Sequence, residues 1–140
     1  MRLFRKKPTP ITREIIPAEQ RLALIAKLLS APIRIDIFTE RIAKRMTGGY
    51  AFKSWVCFRL SNGGLYFAPE INHVYPVVCG KWKGVLTSDA LGLAASLLAL
   101  NQMSFSSRPV VDERCYDVYF LLREFAASHN EAANIKQAIA

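Results

Sequence analysis

The stretch LSNGGLYFAP, residues 60–69, decides the centre of the fold. Asn62-Gly63 supplies the two residues that a type I′ turn places in the left-handed region, so Trp55–Leu60 and Gly64–Ala68 are expected as the arms of a β-hairpin. Trp55, Cys57 and Arg59 alternate with Val56, Phe58 and Leu60. Both sets are mainly large, so both faces of this strand are expected to be covered. Pro69 is expected to end the pairing, because proline has no N–H to give a ladder. Further on, Val74–Cys79 and Trp82–Leu86 are joined by the tight Gly80-Lys81 connection. The expected sheet is a four-stranded antiparallel meander, neighbours pairing in chain order.

Helical periodicity frames this region on both sides. Pro17 suits a first helical turn, and Leu22, Ile25, Leu28 and Leu29 recur at helical spacing until Ala31-Pro32 stops the run. A second helix over Arg34–Met46 places Ile35, Phe38, Ile42 and Met46 on one face and Arg34, Arg41, Lys44 and Arg45 on the exposed remainder. Thr87-Ser88-Asp89 offers N-cap oxygens ahead of a segment apolar around most of its circumference, which predicts a central helix to about Gln102. Its small residues Gly92, Ala94, Ala95 and Ala99 permit close approach of a neighbour. Asp112 is a candidate cap for a helix with Cys115, Val118, Tyr119, Leu122 and Phe125 as its apolar stripe, and Glu131–Ile139 predicts a last short helix. The expected class is α+β, a single domain with the meander packed against about four helices.

The chain has 140 residues, half of them apolar, enough for one independent core. Residues 1–12 are expected to form a basic flexible arm, with Arg2, Arg5, Lys6 and Lys7 ahead of two prolines, and residues 13–140 the domain. The apolar run Ala90–Phe105 is shorter than the roughly 20 residues that cross a bilayer. The start lacks the apolar core and cleavage site of a signal peptide, so a cytoplasmic location without membrane attachment is expected. Cys57, Cys79 and Cys115 show no zinc spacing and read as reduced thiols, although Cys57 and Cys79 both fall in predicted strands where they could face each other.

The net charge is +8 and uneven: residues 1–60 carry 13 Lys or Arg against 4 Asp or Glu, whereas residues 61–140 carry 6 against 7. A positive end attracts an anionic partner, either nucleic acid or an acidic protein surface. Lysines and aromatics interleave through the strand region, but a half-buried meander needs large aromatics on its core face in any case. Catalytic patterns fail. The histidines, His73 and His129, have no partner at a metal or catalytic spacing, and Gly63-Gly64 leads from strand to strand with no helix N-terminus to receive phosphate. Asp89 stands alone at a helix start, where it reads as a cap. No enzymatic activity and no cofactor or metal is expected.

Three blocks in register are similar to the plasmid antirestriction proteins of the ArdB/KlcA type. They comprise Gly48-Gly49-Tyr50 with the hairpin Leu60–Gly64 and Tyr66-Phe67-Ala68-Pro69; Ser88-Asp89-Ala90 with Gly92; and Leu122-Arg123 with His129 and Glu131-Ala132. The resemblance implies a mixed α/β domain that protects incoming mobile-element DNA from type I restriction enzymes without catalysis. It implies a host restriction enzyme or an associated protein as partner. Two features depart from the family pattern. Residues 21–27, RLALIAK, stand where relatives have a Phe-Leu-Pro-Arg-like block, and the chain ends Ala138-Ile139-Ala140 where an Ile-Asp pair is common.

The contact residues expected on this basis are the hairpin tip Asn62 and Gly63 with Trp55 and Tyr66, the helix start at Asp89, and the C-terminal group Arg123, His129 and Glu131. Arg34, Arg41, Lys44 and Arg45 would add affinity. Because this chain is basic, it cannot inhibit as acidic DNA mimics do. The alternative reading is a basic nucleic-acid-binding accessory protein of a plasmid or other mobile element. No sequence feature sets the oligomeric state.

Overall fold

A computed structural model describes residues 9–140. The residues of the expected arm that precede Thr9 lie outside the described residues. The arm's last residue, Thr12, is tied to the body: its N–H donates to Ser61 Oγ at 2.9 Å and its carbonyl accepts from Ser61 N at 2.9 Å.

The elements in chain order are β1 (Arg13–Ile16), a single 3-10 turn (Ala18–Gln20), α1 (Arg21–Leu29), α2 (Ile35–Met46), β2 (Trp55–Leu60), β3 (Leu65–Pro69), β4 (Val74–Cys79), β5 (Trp82–Thr87), α3 (Ser88–Met103), α4 (Pro109–Ala127) and α5 (Ala132–Ile139). The α+β class holds, but the single meander does not. The strands form a three-stranded antiparallel sheet, β1-β2-β3, and a separate ribbon, β4-β5. Among the described residues there are five α-helices instead of about four.

α3 is the reason for the split. It lies against the edge of β3 that a fourth strand would need, and Ser96, buried at mid-helix, accepts from Phe67 N at 3.0 Å and donates to Phe67 O at 3.3 Å. One side chain thus replaces a strand by satisfying both backbone groups. The approach requires Gly92, since a Cβ there would stand 2.3 Å from Phe67 O and 2.5 Å from Ala68 Cβ. All five residues of β3 are buried, as expected for a strand covered on both faces. α3 itself is buried from Ala90 to Leu97 and packs also against α2, α4 and α5. Its predicted cap is present, with Thr87 Oγ1 accepting from Ala90 N at 3.4 Å.

Several boundaries move for local reasons. β1, not expected from sequence, pairs with β2 from Arg13↔Leu60 to Ile16↔Cys57. Pro69 ends β3 as expected, but as its last paired residue, opposite Trp55. The hairpin loop spans Ser61-Asn62-Gly63, with Leu60 N donating to Gly64 O at 2.9 Å and Gly63 N to Leu60 O at 3.0 Å. Only Gly63 adopts positive φ (94°), so the turn is the three-residue form with a left-handed glycine and not type I′. The α1 face is Leu24, Ile25, Leu28 and Leu29, while Leu22 faces solvent. α4 begins at Pro109, three residues ahead of the expected cap Asp112, whose carboxylate accepts instead from Ser106 N and Ser106 Oγ. Cys57 and Cys79 fall in different sheets and do not meet, and all three cysteines are free.

Candidate functional site

The sequence-predicted residues divide into an inner group and an outer group. The inner group converges where β1, β3, the start of α3 and the α4–α5 junction meet. Asp89, in the first turn of α3, is its hub. Its Oδ1 accepts from Arg13 Nη1 at 2.5 Å and from Tyr66 Oη at 2.8 Å, and its Oδ2 accepts from His129 Nε2 at 2.9 Å. Arg13 Nη1 also lies 2.5 Å from Tyr66 Oη, and its guanidinium stands 4.2 Å from the centre of the Phe58 ring. Phe58 stacks on Tyr66 across the strands with ring centres 4.9 Å apart.

Glu131 extends the cluster. Its backbone N–H donates to His129 Nδ1 at 3.0 Å, and its carboxylate receives both Thr87 N, at 3.0 Å, and Thr87 Oγ1. The arrangement sets the histidine tautomer. Nδ1 is an acceptor, so the proton resides on Nε2 and points at Asp89. Burial, and then the Asp89 charge, push the Tyr66 phenol well above its ordinary value, keeping it a neutral donor.

Both carboxylates, both imidazole nitrogens and the Tyr66 and Thr87 hydroxyls of this group therefore have partners within the chain. A general base needs an open lone pair, and a nucleophile needs a base beside it facing a cleft. Here both carboxylates and both imidazole nitrogens are occupied by structural partners. The cluster ties four elements together, and its strength comes from charge-assisted bonds in a partly buried setting. Among the described residues no group of three or more His, Cys, Asp or Glu side chains gathers as metal ligands do.

The other predicted residues lie elsewhere. Asn62 accepts from Gly64 N at 2.9 Å and donates to Leu121 O of α4 at 2.8 Å, which pins the hairpin tip onto that helix. Gly63 packs over Leu121. Trp55 is half-buried in an aromatic group with Phe52, and its indole N–H has no acceptor among the described residues. Arg34 forks onto Asp36, with Nε to Oδ1 and Nη2 to Oδ2 both at 3.0 Å. Arg41, Lys44 and Arg45 are exposed along α2, with no acidic partner among the described residues. Arg123 borders a groove of about 570 Å³ between α3, α4 and α5, whose floor is Leu97, Ala126 and Ile135.

Arg13 and Thr87 are the members of the inner group that sequence reasoning did not single out as contacts. Arg13 was hidden because β1 was not recognised, whereas Thr87 was visible as a cap without its bond to Glu131.

The chain is thus a basic α+β body whose polar cluster at Asp89 is bonded internally, with Arg41, Lys44 and Arg45 exposed on the outside. The family model described as antirestriction protein matches residues 48–140, and the chain belongs to that family. Two relatives, each an antirestriction protein KlcA from Escherichia coli, are 31% identical over 139 residues and 39% identical over 143 residues. The matches cover 93% and 94% of this chain and 95% of each relative. Among solved structures, one from work on the KlcA and ArdB proteins matches with a TM-score of 0.84 at 28% identity, covering 98% of this chain and all of the other. Those proteins are described as having a novel fold and antirestriction activity against Type I DNA restriction systems in vivo but not in vitro.

Proposed function

We propose that this protein is a noncatalytic antirestriction protein that relieves type I restriction of incoming mobile-element DNA, working by protein interaction and not by imitating DNA. The observation that carries this reading is the end-to-end likeness to the KlcA and ArdB proteins, reported active against Type I systems in vivo. Charge sets the mode. A DNA mimic must be acidic to occupy an enzyme's positively charged DNA-binding groove, whereas this chain carries a net +8. The engagement of Asp89, His129 and Glu131 in one another's support removes the chief candidates for catalysis. The partner in this reading is a host type I restriction enzyme or a protein associated with it.

The test is plating efficiency of unmodified phage on cells with an active type I system, with and without the protein, and with a restriction-deficient strain as control. Recovery in the restricting strain alone is the expected result; unchanged restriction despite folded, soluble expression overturns the proposal. The exposed Arg41, Lys44 and Arg45 favour a second reading, a basic nucleic-acid-binding accessory protein of a mobile element. That reading requires binding to DNA or RNA that weakens steeply with salt, and its absence at low ionic strength ends it.

A further inference from the structure

The β4-β5 ribbon turns one face to the core and leaves the other uncovered. Its register pairs Tyr75 with Leu86 and Val77 with Gly84 on the inner side, and Pro76 with Val85 and Val78 with Lys83 on the outer. Tyr75, Val77 and Leu86 are buried. On the outer side Val74, Val78 and Val85 remain 52%, 53% and 49% exposed, and Pro76 is exposed between them. Half-exposed aliphatic residues side by side on a rigid ribbon, with charges around them, are the composition of a protein interface core and rim.

The charges are of one sign. Lys83 lies on this face and Lys81 in the turn at its end, where Gly80 supplies the positive φ (58°) of the tight connection. Beside β4 a groove of about 450 Å³ runs to the end of α2, between Arg45, Met46 and Gly48 on one side and Val78 and Lys83 on the other. No acidic residue lines it. None of the three cations has an acidic partner among the described residues.

We propose that the outer face of the β4-β5 ribbon, with the groove beside Arg45, is the surface that holds the protein partner, through a segment in which an apolar side chain is flanked by Asp or Glu. The proposal rests on the interaction reading above and names the surface that serves it. Valine and proline desolvate what they touch but cannot stack on bases, so the face does not suit single-stranded nucleic acid, whose platforms are aromatic. A second copy docked face to face across a two-fold axis would gather both copies' Lys81, Lys83 and Arg45, all of one sign, at one interface. An acidic segment with an apolar anchor meets both features at once.

The experiment is done in restricting cells with the full chain. Tyr116→Phe, at an exposed position of α4 on another face, is expected to protect phage as the wild type does. Val85→Asp and the double change Lys81→Glu with Lys83→Glu are expected to lose protection at equal soluble level and unchanged melting temperature, because all these side chains face solvent. In parallel, a benzoylphenylalanine photo-crosslinker is placed at Val78 and, as a control on another face, at Tyr116. The expected adduct forms from position 78, joins a peptide rich in Asp and Glu, and is lost in the double charge reversal. Full protection by the charge-reversed protein overturns the proposal and leaves the lysines as guards against ribbon aggregation. An adduct to nucleic acid or to a second copy, or one formed only from position 116, overturns it also. If the wild type itself gives no protection, the functional reading fails separately. The position-78 adduct then decides the surface alone, an acidic peptide supporting it and no adduct refuting it.

Discussion

At the scale of single residues, the decisive fact is the direction of one proton. His129 accepts at Nδ1 from Glu131 N and so must donate from Nε2 to Asp89. Asp89→Asn is therefore not a quiet substitution. Its amide sets N–H groups either against the Arg13 guanidinium, if the oxygen turns to His129 Nε2–H, or against His129 Nε2–H itself, donor against donor in both cases. The Arg13–Asp89 pair is partly exposed, with side chains 42% and 30% accessible, and adds little on its own. The expected loss of about 1–3 kcal/mol in urea unfolding comes from the unpaired donors. Wild-type stability in the asparagine variant would refute the paired arrangement of Arg13, Tyr66 and His129 around Asp89. The thiols give a pH signature of known sign. Burial raises Cys57 from an ordinary 9.0 to about 12, and burial with the Asp112 charge raises Cys115 from 9.0 to about 11. The fold therefore favours the neutral thiols, and their contribution is full below pH 9 and lost as pH climbs from 9 through 11–12. Stability measured across that window should fall, and should fall less in Cys115→Ala after correction for its lower starting stability. At pH 8 a thiol reagent should label half-exposed Cys79 ahead of the two buried thiols.

At the scale of elements, α3 and β3 depend on each other. Gly92→Ala would force a methyl group to within 2.5 Å of Ala68 Cβ and closer still to Phe67 O, so helix and strand must separate. About 1–3 kcal/mol of destabilisation is expected, although alanine is the better helix former. Ser96→Ala strands Phe67 N–H in a dry interior, at a cost of about 1–3 kcal/mol. A thermal or urea melt that showed Gly92→Ala stabilised by its helix propensity would contradict the close contact. The same contact explains what could and could not be read from the chain alone. Strands β2 and β4 and the course of α2 and α3 were legible, because period-two and helical patterns bounded by Gly, Pro and caps are local signals. The pairing of β3 with a helix serine was not, because it joins residues 29 apart and looks in sequence like one more polar position in a helix. β1 was hidden for the opposite reason: four residues, mostly exposed, carry too little alternation to separate an edge strand from a linker. Of the residues expected as contacts, Tyr66, Asp89, His129 and Glu131 are brought together in one cluster. What the sequence left out is that they spend their polar atoms on one another.

At the scale of the whole molecule, charge placement limits how the protein can act. The uneven distribution along the chain survives folding in part. Arg34 is paired with Asp36 and Arg13 with Asp89, whereas Arg41, Lys44 and Arg45 on α2 and Lys81 and Lys83 on the ribbon are exposed and have no acidic partner among the described residues. Arg45 and Lys83 border one groove, so helix and ribbon contribute to a common positive region although they are 38 residues apart. Such a surface attracts acidic protein or nucleic acid from about a Debye length away, roughly 8–10 Å at physiological salt. It repels a DNA-binding groove, which is itself positive. The purified protein is therefore expected not to displace a labelled DNA duplex from a type I restriction enzyme, followed by fluorescence anisotropy over a range of salt. An acidic mimic would displace it, and more effectively at low ionic strength. Displacement by this chain that strengthened as salt was lowered would mean that it competes with DNA as an acidic mimic does despite its net +8, and would overturn the charge argument at its base. A rise in anisotropy on adding the protein, steep in salt and present with DNA alone, would instead shift the weight to the nucleic-acid reading. No change with DNA alone, joined to protection in cells, leaves a protein partner as the route by which a basic, noncatalytic domain relieves restriction.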